Sequence, residues 1–194
     1  MLHRQTRKTN RSRSIAIGSV VLGIAAMLVW WRFFSPPDFA AVSRAGSEAA
    51  FGSTSDKVAD YLHPEEMKAL DMTPDKARKI IDEVLRPRMK DFRVASPKGE
   101  PIRQGSRVSI HFMAQCPSGN FESGMEVVET PDGPKTFLSL VALQSLRGIQ
   151  KNGELGRDKS WPQNWNAMAD DLTAHGLRGY YDLQSGKVYD WPKM

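Results

Sequence analysis

The chain has 194 residues, 40% of them hydrophobic and 25% charged, which suits one globular domain with an appendage. Its formal charge is +5, yet Arg4, Arg7, Lys8, Arg11, Arg13 and Arg32 crowd the N-terminal end with no acid among them. Without those six the remainder carries about −1, so the footprint of a phosphate-backbone binder is missing and nucleic acid is not an expected partner. The single cysteine, Cys116, rules out an intrachain disulfide and a cysteine-based zinc cage, so the domain must hold on its core alone.

Residues 1–13 form a basic tail. From Ser14 to Trp31 no residue is charged, a stretch of roughly 18 residues or about 27 Å of helix, enough to cross the hydrocarbon core. Arg32 can snorkel and let the apolar stretch run to Phe34, Trp30 and Trp31 suit the interface, and Pro36-Pro37 closes the helix. Residues 14–34 are therefore expected to form a single-pass signal-anchor in the lipid bilayer. The basic flank puts the N-terminus in the cytoplasm and the rest of the chain outside. A cleaved signal peptide, with Ala41-Val42-Ser43 as its cleavage site and a secreted product, is the competing reading. The long apolar core and its terminal tryptophans favour retention. Ala16, Ser19, Gly23 and Ala26 make a small-residue stripe through which two anchors can pack as a homodimer, although such residues are frequent in membrane helices generally.

Residues 35–55, small, polar and punctuated by proline and glycine, read as a linker. Residues 56–194 read as an extracytoplasmic α+β domain. A short helix is expected over Lys57–Leu62, a turn at His63-Pro64 and a second short helix through Leu70. Thr73-Pro74-Asp75 is a start signal for a longer one, whose apolar phase (Ala77, Ile80, Ile81, Val84, Leu85, Met89, Phe92) survives Pro87 with a kink near Arg86. Arg107–Cys116 alternates with a period of two, placing Val108, Ile110, Phe112, Ala114 and Cys116 on one face of a strand. A second strand follows over about Glu122–Thr130, and a third extended run begins at Lys135. From Val141 to Ile149 strand and helix both fit. Ser160-Trp161-Pro162 opens a helix with Trp161, Trp165, Met168 and Leu172 on one face, ended by Gly176. Tyr180–Trp191 reads as a hairpin around Ser185-Gly186. The order predicts helices packed on an antiparallel sheet, an arrangement like that of cystatins or the nuclear transport factor fold.

No catalytic constellation stands out. His63-Pro64-Glu65-Glu66 pairs a histidine with carboxylates, but proline followed by two acids is ordinary helix-start chemistry. His111 and Cys116 fall on opposite faces of one strand and make no dyad. Asp170 and Asp171 diverge on a helix, and Asp171 pairs most naturally with His175 four residues on. No metal ligand set, cofactor loop or nucleophile elbow is present, so no metal or cofactor is expected. Tyr180, Tyr181, Tyr189 and Trp191 give the last hairpin an aromatic character that serves either a core edge or a binding face.

The stretch SPKGEPIRQGSRVSIHFMAQCPSGNFES resembles the front half of FKBP-type peptidyl-prolyl isomerases. Gly105, Val108, Ile110, His111, Phe112, Gly119, Phe121, Glu122 and Ser123 occupy positions comparable to that family's glycine, V-x-V-H-Y strand, turn and F-D-S run. Lys135-Thr136-Phe137-Leu138 matches the next strand, and Leu146-Arg147-Gly148-Ile149 the entry to the central helix. Phe112 stands for a tyrosine, Glu122 for an aspartate and Ile149 for a tryptophan. The resemblance implies an apolar pocket bounded by Phe112, Phe121, Glu122, Phe137 and Ile149 that twists an X-Pro bond without acid or base. The residues read by themselves point instead to a non-enzymatic domain that binds a protein partner or ligand outside the cytoplasm. The position of the three phenylalanines, around one open pocket or inside a core, separates the two readings.

Overall fold

Helix α1 (Phe39–Ala50) opens the described part of the chain. The structure, a computed structural model, describes residues 38–51 and 56–194. The basic tail, the membrane span 14–34 and the stripe of Ala16, Ser19, Gly23 and Ala26 lie outside the described residues. Among the described residues no helix is long and apolar enough to cross a membrane.

α1 corrects the reading of 35–55 as a linker. Asp38 caps it, its carboxylate accepting from the Ala41 N–H at 2.9 Å. Val42, Ala45, Ala49 and Ala50 are buried. The small residues that resemble linker composition serve close packing: a Cβ on Gly46 would stand 3.2 Å from the end of the Met125 side chain. Phe51, just beyond α1, is almost fully buried. Its ring stacks on Phe92 and meets Phe112 and Phe121 edge-on, with centroids about 6 Å apart.

A 3-10 turn (Asp56–Tyr61) leads to α2 (Pro64–Ala69), capped by the His63 ring. The Thr73 hydroxyl caps α3 (Pro74–Ile80) as expected. The chain then passes Pro87 by widening into a π-turn over Ile81–Leu85, where the Arg86 N–H reaches back to the Ile81 carbonyl, and continues as α4 (Arg86–Met89). The wider turn absorbs the missing proline N–H and keeps Ile80, Ile81, Val84, Leu85 and Met89 all facing the core.

The sheet is an antiparallel meander. β3 (Arg107–Cys116) and β4 (Gly119–Thr130) pair along their length across a two-residue turn. β1 (Arg93–Pro97) and β2 (Ile102–Gln104) share the outer edge of β3, and β5 (Gly133–Lys135) covers only Val128–Thr130 of β4. The inner face carries Val108, Phe112, Ala114 and Cys116 from β3 and Phe121, Met125 and Val127 from β4. Ile110 keeps the expected phase but is only half-buried.

The ambiguous stretch after Val141 is helical throughout, inside α5 (Leu138–Gly156), which packs on β4, on α1 and on α6 (Trp161–Ala174). Gly176, at φ 93°, ends α6, and the Leu177 N–H returns to the Leu172 carbonyl at 2.9 Å. The hairpin of β6 (Gly179–Asp182) and β7 (Lys187–Asp190) closes the domain, anchored by the Trp191 indole N–H on the Leu177 carbonyl. This is an α+β fold, helices on an antiparallel sheet.

Two substitutions separate the faces of β3. Phe112→Ala is expected to remove about 3–5 kcal/mol by emptying the space beside Phe51 and Phe121. Met113→Ala, on the half-exposed face, is expected to remove clearly less. Equal losses in chemical denaturation would mean that the strand is shifted by one residue.

Candidate functional site

α5 starts without a cap of its own. Phe137 stands at its N-cap position and offers no acceptor, so the first N–H groups need a partner from elsewhere. Glu66 of α2 supplies it. Its side chain is fully buried. The carboxylate accepts from the Leu138 N–H at 2.6 Å, the Ser139 N–H at 2.9 Å and the Ser139 hydroxyl at 2.5 Å. The Ser139 hydroxyl oxygen accepts in turn from the Tyr181 N–H at 3.2 Å, which ties β6 to the same point. His63 stacks on Phe137 at 4.9 Å between centroids, and Phe137 on Tyr181 at 6.0 Å. The Tyr181 hydroxyl donates to Glu65 at 3.3 Å.

Burial pushes the Glu66 carboxyl up to about 7, against three hydrogen bonds that favour the anion. Burial likewise lowers the His63 imidazole, whose Nδ1 accepts from the Glu65 N–H and is therefore unprotonated. Tyr181 is raised by burial and by the Glu65 charge beside it. With Glu66 and Ser139 both closed to solvent, this cluster has no room for a substrate; it positions α5.

What α5 is positioned against is the open edge of β4. β5 ends opposite Val128, and among the described residues no strand pairs with Glu122–Glu126 on that side. A groove of about 460 Å³ follows this edge, with Leu140, Leu143, Gln144 and Arg147 of α5 as one wall and Glu122–Glu126 as the other. Gly124 leaves its floor bare, with His111 and the half-buried Ile110 beside it. A second hollow of about 260 Å³ shares Glu122, Ser123, Gln144 and Arg147 and carries the groove on to Phe121, Gln150 and Lys151. The walls differ in charge. The Lys98 ammonium, 2.5 Å from Glu122, holds that carboxyl below the usual range, with His111 adding to the effect. Buried Ser123 and Gln144 hydrogen-bond to each other and clamp strand to helix under the groove.

The five residues nominated through the isomerase resemblance are dispersed. Phe112 and Phe121 are buried around Phe51, and Phe137 is stacked between His63 and Tyr181. Glu122 is exposed on the outer face, and Ile149 lines a separate hollow of about 340 Å³ with Phe92 and Trp161. Phe121 and Glu122 share the smaller hollow, but the five do not bound one cavity. Asp171 does not pair with the His175 side chain through its own: its carboxylate takes the Arg88 guanidinium, and the His175 ring contacts the Asp171 carbonyl and Glu83. Cys116 is buried, its thiol donating to the Gly119 carbonyl. Tyr180 stacks on Tyr189 and packs by Trp191, so much of the hairpin's aromatic surface is spent internally. No group of three or more potential metal ligands occurs among the described residues. The sequence conceals this role of Glu66 because an acid in the first turn of α2 already has a local explanation. The available signal was the absence of any polar cap ahead of Leu138.

No family model matches the chain, and neither the curated proteins nor the solved structures provide a match.

Glu66 gives the domain a defined pH response. Its folded-state value of about 7 lies above the ordinary 4.5, so the folded chain holds the extra proton between them. That contribution is present at low pH and lost as pH rises through 7. His63, lowered from 6.5, acts in the opposite sense and takes stability away as pH falls through 6.5. Between pH 8.5 and 7 Glu66 outweighs His63, so the unfolding midpoint is expected to rise as the solution is acidified across that window. Glu66→Gln is expected to flatten the rise. An unchanged slope in that variant would assign the titration to another group.

Proposed function

We propose that this protein is a single-pass membrane protein whose non-enzymatic domain binds a protein partner outside the cytoplasm. The charge-free stretch Ser14–Trp31 with its one-sided basic flank supports the anchor and its orientation. The observation that carries the binding role is the groove between the open edge of β4 and α5. Leu140, Leu143, Arg147, Glu122 and Glu126 along it are exposed or half-exposed, whereas the aromatic residues an isomerase would need are spent on packing. The Glu66 cluster fixes the helix wall, so the groove is held in shape before any partner arrives.

The test uses the full chain in its membrane. A reporter fused after Met194 is expected to lie outside the cytoplasm. A photo-crosslinking amino acid at position 147, on the groove wall, is expected to give one discrete protein adduct that Leu143→Glu abolishes. The same probe at position 184, in the hairpin turn, is expected to give none. Absence of an adduct at 147, or the same adducts from both positions, would contradict the binding role.

A further inference from the structure

We infer that the partner enters as an extended segment that adds to the sheet as a strand along β4, with lysine or arginine on its outward-facing side. This rests on the partner-binding reading of the groove and goes further by naming what fits it. Odd-numbered residues of β4 turn their backbone groups toward β3, as the Glu129 N–H shows by donating to the Ser106 carbonyl at 2.7 Å. Even-numbered residues face the other way: the Glu126 carbonyl points across the edge and takes the Thr136 hydroxyl at 3.2 Å. The N–H and C=O groups of Glu122 and Gly124 therefore face the groove, and among the described residues nothing pairs with them. They offer the hydrogen-bonding pattern of a ladder that stops where β5 stops.

The dimensions agree. From Phe121 to Glu126 the strand spans about 16 Å. From Leu140 to Lys151 α5 rises about 16 Å. Along the edge, over the Ser123–Gln144 bond, this length suits a segment of about five extended residues, continuing the row that β5 begins. Alternate side chains of such a segment point to opposite faces, one set onto Leu140 and Leu143, the other outward beside Glu122 and Glu126. The carboxylate of Glu126 has no ion-pair partner among the described residues. A cationic residue on the outward side meets it directly.

The same charges argue against a second copy of this chain as the occupant. Two β4 edges paired antiparallel about Gly124 would set Glu122 of each opposite Glu126 of the other, like charges face to face.

The experiment measures hydrogen exchange of the full chain in lipid nanodiscs with three hexapeptides. One alternates lysine and valine; the second is the same peptide N-methylated at its lysines, the residues that stand opposite Glu122 and Gly124 and turn their N–H groups to β4 in an antiparallel row; the third alternates glutamate and valine. The lysine peptide is expected to slow exchange of the Glu122 and Gly124 amides. N-methylation is expected to weaken binding about tenfold or more, the loss of two backbone hydrogen bonds. Glu126→Lys is expected to move the preference toward the glutamate peptide. Equal binding of the N-methylated peptide, equal binding of both charge types, or protection elsewhere than the β4 edge would overturn the proposal. If no peptide protects the edge while position 147 still crosslinks, strand addition falls and the partner-binding reading stands. If neither occurs, both fall.

Discussion

The Glu66 carboxylate satisfies the first N–H groups of a helix that begins 72 residues later in the chain, and the placement of α5 follows from that contact. A buried carboxylate is costly unless its lone pairs are well used, and here two backbone donors, a hydroxyl and the positive end of a helix meet it. Capping from a distance frees the residues at the helix start. Phe137 and Leu138 can be apolar and buried where a self-capped helix needs a serine or an aspartate. The same contact joins three remote segments, because Ser139 also receives the Tyr181 N–H and His63 donates its backbone N–H to Thr136. Removing the carboxylate alone would leave buried donors unpaired, a larger loss than an exposed cap would incur.

Once α5 is held at its start, the rest of the domain arranges along it. Its inner side meets α1 and the sheet, with Val141, Ala142, Ser145 and Leu146 fully buried. The Ser145 hydroxyl reaches back to the Ala50 carbonyl at 2.8 Å and fixes the end of α1, which delivers Phe51 into the centre of the aromatic cluster. The side of α5 that carries Leu140, Leu143 and Arg147 projects past the edge of β4, because β5 is only three residues long and covers too little of it. A groove thus arises from a long helix beside a strand that is paired over only three residues of one edge. The short β5 leaves that backbone uncovered, and the flanking Glu122 and Glu126 would set like charges against each other if a second copy paired there.

The sequence made much of the framework legible. The Thr73 cap, the alternation of β3, the apolar face of α6 and the final hairpin all have local causes, and each forms as its residues predict. The failures have a common source in tertiary context. Residues 39–50 look like a linker because alanine, glycine and serine are ambiguous between flexibility and close packing; only Met125 and Val141 on the facing surface decide it. Val141–Ile149 fits strand and helix alike because periodicity alone does not separate a short apolar strand from a buried helix. The front-half resemblance to isomerases tracked a real strand, turn and strand, but not where the rings go. Phe51 comes from a segment outside the resembling stretch and packs against Phe112 and Phe121, with Phe92 stacked on it. Glu66 was visible as an acid and invisible as a cap, since its partners lie far along the chain. The groove has no sequence signature at all, because it consists of backbone left unpaired.

Hydrogen exchange across α5 in Glu66→Ala, compared with the unaltered chain at pH 7.5, tests the remote cap most directly. The variant is expected to exchange faster at residues 138–141 and in β6, where Ser139 and Tyr181 lose their common anchor, while the amides that join β3 to β4 keep their protection. Unchanged protection over residues 138–141 would show that α5 holds its position without Glu66, and would contradict the account.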